Sequence, residues 1–259
     1  MAITLRSRRE VELMKKAGGV VADVLLKLKE SAVAGISTAE LNRIAEDVTK
    51  QAGAIALFKG IQNPYGYKAF PAAICTSINE QVVHGIPSDK VILQEGDILS
   101  VDFGVKLLGY CGDAAVTLAI GAIDEQKQRL MYVTARMLDT AIEHSRAGEK
   151  WSRVAGLMQK VAESAGFSVV TDFVGHGIGT QMHEDPKVPN YVSRELLHND
   201  ILLQEGMILA VEPMVNMGAS EVVTLKDGWT VAAKDGRPSA HFEHTIAITK
   251  NGCEVLTVK

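Results

Sequence analysis

One twelve-residue stretch is written twice in this chain. "LQEGDILSVDFG" covers residues 93–104, and "LQEGMILAVEPM" covers residues 203–214, 110 positions later, with seven of twelve residues identical. Each copy is an apolar run that places an acid, Asp102 or Glu212, directly after a valine. A chain that builds one strand twice is constrained toward two like halves. Burying those strands together against helices gives an α+β domain, an antiparallel sheet covered by helices around a pseudo-twofold axis.

The remaining repeats keep the same order. "AG" at 34–35 and 52–53 returns at 147–148 and 165–166, both at an offset of 113, and "HGI" at 84–86 returns at 176–178. Each half reads helix, helix, strands, so one domain over 1–259 is expected, with halves of roughly 1–120 and 121–259. Ser7 with Glu10 and Ser37 with Glu40 have the spacing of capping boxes, in which side chain and backbone satisfy each other at a helix start. Met14, Val21, Leu25 and Leu28 keep one face of the first helix apolar. In the second half, helices are predicted over 125–145 and 151–165, with Gly148 and Gly166 as stops. The basic segment "RSRREVELMKK" also carries Glu10 and Glu12, and reads as a solvated helix face.

Composition narrows the class. A net charge of −4 argues against a general nucleic-acid binder, which would carry a basic excess. The chain has no apolar run long enough to span a bilayer and no signal-type start, so no membrane association is expected. Three scattered cysteines fit neither a disulfide framework nor a cysteine zinc site; a reducing cytoplasm is the simplest setting.

The chemistry gathers on acids led in by apolar strands. Asp113 follows Asp102 across "FGVKLLGYCG", where Gly109 suits a turn that returns the second carboxylate beside the first. Glu243 opens an alternating apolar run that reads as the final strand. His176 sits in "VGHGIG", with glycines that would leave room for a ligand. Taken singly, such an Asp is more often a solvated turn residue, and such a His a loop donor. Jointly, Asp102, Asp113, His176, Glu212 and Glu243 make four carboxylates and an imidazole. At ~5 Å and an effective dielectric of about 20, each carboxylate pair repels by roughly 3 kcal/mol. Two divalent cations would balance four negative charges, and oxygen-rich ligation with one nitrogen suits manganese, iron, cobalt or zinc.

These pieces resemble a known family, the type I methionine aminopeptidases of the pita-bread fold. The likeness runs from "REVELMKKAG" to "NGCEVLTVK" and is carried by "SINEQVVHGIP", "GDILSVDFG", "GYCGDAAVT", "GHGIGTQMHEDP", "EPMV" and "HFEHTI". By that resemblance the five residues above are ligands of a two-metal centre. Asp113 and Glu243 are the shared ligands, Asp102 holds one ion, and His176 and Glu212 complete the other. The resemblance also implies that His84 lies near the scissile nitrogen and that His183 donates to the scissile carbonyl oxygen. Glu212 would pass a proton to the departing amine. The methionine pocket would be lined by Tyr67, Phe70, Cys75, Met182, Met214, Trp229 and His241. Phe70 stands where the family often has tyrosine, Met182 where an aromatic is common, and His241 where a glutamine can occur.

The implied activity is removal of the first methionine from peptides and nascent chains, preferring a small second residue. A transient ribosomal encounter is implied too, and a monomer is expected. One rival is a prolidase or aminopeptidase P, which would carry an additional N-terminal domain. A type II enzyme would need a helical insert, and the eukaryotic type I form a zinc-binding extension. Another rival is a metal-free pita-bread module that only binds proteins; the presence of all five ligand residues argues against it.

Overall fold

The computed structural model describes residues 3–259. Its helices are α1 (Arg8–Ser31), α2 (Thr38–Gln51), α3 (Glu125–His144), α4 (Trp151–Ser164) and the short α5 (Arg194–His198). The first five strands are β1 (Ile55–Ala56), β2 (Cys75–Ile78), β3 (Gln81–Val83), β4 (Ile98–Leu107) and β5 (Tyr110–Ala119). Next come β6 (Ser168–Val169), β7 (Gly175–Gly177), β8 (Glu184–Val188), β9 (Ile208–Val211) and β10 (Met214–Asn216). The chain ends on β11 (Val222–Thr224), β12 (Val231–Ala233), β13 (Ser239–His241), β14 (Glu243–Ile248) and β15 (Cys253–Val255).

The helix starts follow their caps. The Ser7 hydroxyl accepts from the Glu10 N–H while the Glu10 carboxylate accepts from the Ser7 N–H, the reciprocal pair predicted. Ser37 also accepts from the Glu40 N–H, but the expected box does not close there, because the Glu40 carboxylate pairs with Arg43 instead. Met14, Val21 and Leu28 are fully buried, and Leu25 packs at the edge of the core that holds Val21 and Leu28. The approach of α1 to the sheet depends on two glycines. A Cβ on Gly18 would lie 2.0 Å from the Leu256 carbonyl oxygen, and one on Gly112 only 2.9 Å from the Gly18 nitrogen.

A nine-stranded antiparallel sheet forms the centre, in the order β1-β4-β5-β14-β9-β7-β8, with β2 beside β4 and β15 beside β14. Glu243 therefore opens the penultimate strand, not the final one. Two smaller sheets, β13-β10-β6 and β11-β12-β3, stand against it. One core joins α1 and α2 to β4 and β5. A second joins α3 and α4 to β9 and β14.

The sequence repeats meet in matching hydrogen bonds. The Gly35 N–H donates to the Leu93 carbonyl and the Gly148 N–H to the Leu203 carbonyl, each at 2.8 Å. Leu93 and Leu203 answer by donating to Ile36 and Glu149, and bridges Ser37–Ile92 and Lys150–Leu202 lie alongside. Each repeated stretch is thus pinned to the turn after a helix, residues 93–104 to that after α1 and residues 203–214 to that after α3. The two "HGI" triplets do not correspond in this way. His84 follows β3 of a small sheet, whereas His176 lies inside β7 of the main one.

The basic N-terminal segment also differs from expectation. Arg8 and Arg9 are exposed, but the Arg6 side chain is only 8% exposed and pairs with Glu184 and Glu10. The backbone bond from the Arg6 N–H to the Gly206 carbonyl and the pair with Glu184 take Arg6 out of the solvated face.

Candidate metal centre and substrate cavity

Strand register alone brings the five expected ligands together. Residues directly opposed in an antiparallel ladder share a face, as do positions two apart on one strand. β4 and β5 are joined by Leu108 and Gly109, both at positive φ (52° and 87°), a two-residue turn suited to right-twisted strands. That turn sets Asp102 opposite Ala115 and Gly104 opposite Asp113, so both acids face the same way. Glu243 is opposite Ala115 from the other side. β14 pairs His244 with Val211 and Thr245 with Ala210, which carries the face across to Ala210 and, two residues on, to Glu212. His176 opposes Ala210. Alanines at 115 and 210 keep the space between the acids open.

Ligand atoms of Asp113, His176 and Glu243 all lie within 4.8 Å of one another. Glu212 adjoins them, with Oε1 3.6 Å from His176 Nε2 and Oε2 3.8 Å from His241 Nε2. His176 donates from Nδ1 to the Gly177 carbonyl at 2.9 Å, which leaves Nε2 as the free acceptor, the tautomer a cation needs. The flanking glycines serve the backbone, not a ligand. A Cβ on Gly175 would sit 2.3 Å from the Ala210 oxygen, and one on Gly177 2.2 Å from the Asp185 oxygen.

The electrostatics are those of a cluster built around positive charge. Burial, followed by the charges of Asp113 and Glu212, drives the Asp102 carboxyl well above its usual range. Glu243 is raised by burial and by Asp113, Glu212 and Asp102, and Glu212 by burial and Asp113. Burial pushes Asp113 up to about 7. Asp102 Oδ1, Asp113 Oδ1 and Glu243 Oε1 are buried without a hydrogen-bond partner among the described residues. Each such orphan costs about 1–3 kcal/mol, more for a charged group. Divalent cations would remove both the repulsion and the orphaned oxygens, so the donor set fits them.

A cavity of about 860 Å³ opens over this face. Four expected pocket residues line it: Phe70, Cys75, Met182 and Trp229, with Phe70 edge-on to Trp229 at 5.3 Å. Three do not. Tyr67 is half-exposed and lies over Gly228, outside the cavity. Met214 is fully buried with Val82, Val170 and Val231. His241 stands behind Glu212 rather than beside the pocket. Sequence reasoning also missed Phe58 and Ile61, which complete the apolar wall, and Phe173. Their only signal was hydrophobicity within loops.

Both expected substrate histidines face the cavity. His183 lies with its ring 4.3 Å from that of His176, and burial lowers its pKa. His84 adopts φ +60°, rare for a residue with a side chain, and packs edge-on to Phe173 at 5.5 Å. Burial, with a smaller contribution from His183, holds His84 at about 4. Both rings are therefore neutral near pH 7.

Comparison with known proteins gives the family. The profile of metallopeptidase family M24 fits residues 12–250. A methionine aminopeptidase of Clostridium acetobutylicum is 46% identical over 99% of both chains, and that of Escherichia coli K12 is 40% identical over 100% of this chain and 95% of its own. The crystal structure of a methionine aminopeptidase from Thermotoga maritima superposes with a TM-score of 0.93 at 41% identity over the full length of both. A prolidase from Pyrococcus furiosus shares the pita-bread fold alone, with a TM-score of 0.76 at 20% identity, covering 98% of this chain and 65% of that one. A buried Asp-His-Glu group, five candidate ligands on one sheet face and full-length likeness together show that the chain belongs to metallopeptidase family M24, among the methionine aminopeptidases.

Proposed function

We propose that this protein hydrolyses the first peptide bond of chains that begin with methionine, with preference for a small second residue. The observation that carries this reading is the convergence of five ligand-type side chains, with orphaned carboxylate oxygens, on the floor of an apolar cavity. Asp102, Asp113, His176, Glu212 and Glu243 would hold two divalent ions, manganese, iron, cobalt or zinc, with Asp113 and Glu243 shared. When bound, the ions supply Lewis-acid polarisation and lower the pKa of water toward neutrality.

The chain's own residues do the rest. Phe58, Phe70, Cys75, Met182 and Trp229 offer a slim apolar slot for a thioether side chain, which gains from contact with aromatic edges and a second sulfur. Neutral His183 donates its N–H to the scissile carbonyl oxygen as that atom gains charge; such a donor contributes about 2.7–4 kcal/mol. Neutral His84, held in a strained backbone conformation at the cavity wall, orients the scissile nitrogen. Glu212, which adjoins His176 and His241 on the cavity floor, would relay a proton from the attacking water to the leaving amine. A bulky second residue would meet the rim of a cavity whose floor is already committed to amine and carbonyl.

The matching hydrogen bonds at Leu93 and Leu203 support one catalytic domain of two related halves, about 1–120 and 121–259. No helix of the described residues is long and apolar enough to cross a membrane. A monomer working in the cytoplasm on nascent chains, with transient ribosomal contact, completes the reading.

Cleavage assays on the metal-loaded protein test it. Met-Ala-Ser is expected to release methionine rapidly, and Ala-Pro-Ala to remain intact. Release from the proline peptide alone would assign the protein to the proline-directed branch of the fold.

A further inference from the structure

The turn that carries Met182 and His183 into the cavity is held from a distant part of the chain. Glu184, the first residue of β8, takes the Thr180 N–H at 2.8 Å and the Gln181 N–H at 3.1 Å on Oε1. Its other oxygen, Oε2, takes Arg6 Nη2 at 2.5 Å. The pair is well enclosed, with side chains 8% and 17% exposed. Arg6 is itself anchored, its N–H donating to the Gly206 carbonyl at 2.7 Å. The guanidinium occupies the space a side chain at 179 would need, since a Cβ on Gly179 would lie 2.1 Å from Arg6 Nη2. One carboxylate therefore fixes both ends of the 180–184 segment, and one arginine fixes that carboxylate.

We propose that Arg6 is a positioning residue for His183: by clamping Glu184 it holds the turn in the geometry that presents the His183 ring to the substrate carbonyl. The inference rests on the role proposed for His183 above. A planar guanidinium is suited to this task because it is rigid and always charged, and keeps a fixed angle to the carboxylate it holds. Loss of the clamp leaves Glu184 bonded to the turn but free to shift with it. A displacement of about 1 Å in a group aimed at developing charge can cost on the order of a hundredfold.

Arg6→Ala, in the full chain loaded with manganese, is expected to lower kcat on Met-Ala-Ser by about ten- to a hundredfold. KM should change by less than kcat and metal content should be unchanged, because the turn supplies only Met182 to the apolar slot and none of the five ligand side chains. Arg6→Lys should recover part of kcat. In a His183→Ala background the same Arg6→Ala change should cost less than about twofold, as expected for two residues acting as one unit. Gly179→Ala, which displaces the guanidinium without altering it, should reproduce the loss and stands in if Arg6→Ala does not fold. In the metal-free protein, the His183 ring signal in a proton–carbon NMR spectrum should shift in Arg6→Ala while that of His84 stays in place. This readout holds even if the parent protein cleaves neither peptide, which would count against the proposed function alone. Unchanged kcat with an unmoved His183 signal, or an equal loss in both backgrounds, would overturn the inference.

Discussion

Asp113→Ala is expected to bind divalent ions at least about a hundredfold more weakly than the parent protein, since loss of a supporting partner alone costs up to that much. Asp113 lies with His176 and Glu243 in the tightest group of ligand atoms and opposes Gly104 across the β4–β5 ladder. Its removal subtracts a charge from the centre of the cluster and leaves a methyl that no cation can use. Manganese per chain, measured after equilibrium dialysis, should fall from two to one or none, and activity should fall with it. Full occupancy in the variant would show that Asp113 is not shared between the ions. The fold itself should survive, because Asp113 contributes backbone bonds to Thr245 that alanine preserves.

His183→Ala should separate chemistry from metal binding. The ring faces the cavity beside His176 and is not among the ligand atoms grouped with Asp113 and Glu243. Loss of one donor to a developing oxyanion typically lowers kcat by about 10²–10³. Metal content should therefore match the parent's while kcat falls by that amount and KM changes little. Steady-state kinetics beside elemental analysis decides the matter. Loss of metal together with activity would make His183 a ligand rather than a donor.

The candidate site was more legible in the sequence than the cavity around it. Strand periodicity and one Gly-containing turn suffice to place Asp102 and Asp113 on a common face, because side chains alternate regularly along a strand, whereas Glu243 joins them through the distant pairing of β14 with β5. The helix starts at Ser7 and Ser37 were equally local, since an N-cap serine and the N–H it accepts from lie within four consecutive residues. The cavity walls depend instead on how loops close. Phe58, Ile61 and Phe173 come from segments with no period, and Tyr67 and Met214 were expected beside a pocket from which packing turns them away. The glycines around His176 show a different gap: their need for a bare Cα was visible, but not that backbone carbonyls fill the space. Arg6 reads as one charge in a basic run, and its pairing with a residue 178 positions away, which no local pattern carries, helps remove it from solvent.

The central claim is that five side chains scattered along the chain gather a pair of cations beneath the cavity. Titrating the metal-free protein with manganese and recording its electron paramagnetic resonance tests that most directly. Ions about 4 Å apart, as in two-metal sites generally, couple magnetically. The account predicts that the second equivalent converts the isolated-ion spectrum into a coupled one, and that Asp113→Ala abolishes the conversion. Two equivalents that bind and remain magnetically isolated, or coupling that persists in Asp113→Ala, would contradict it.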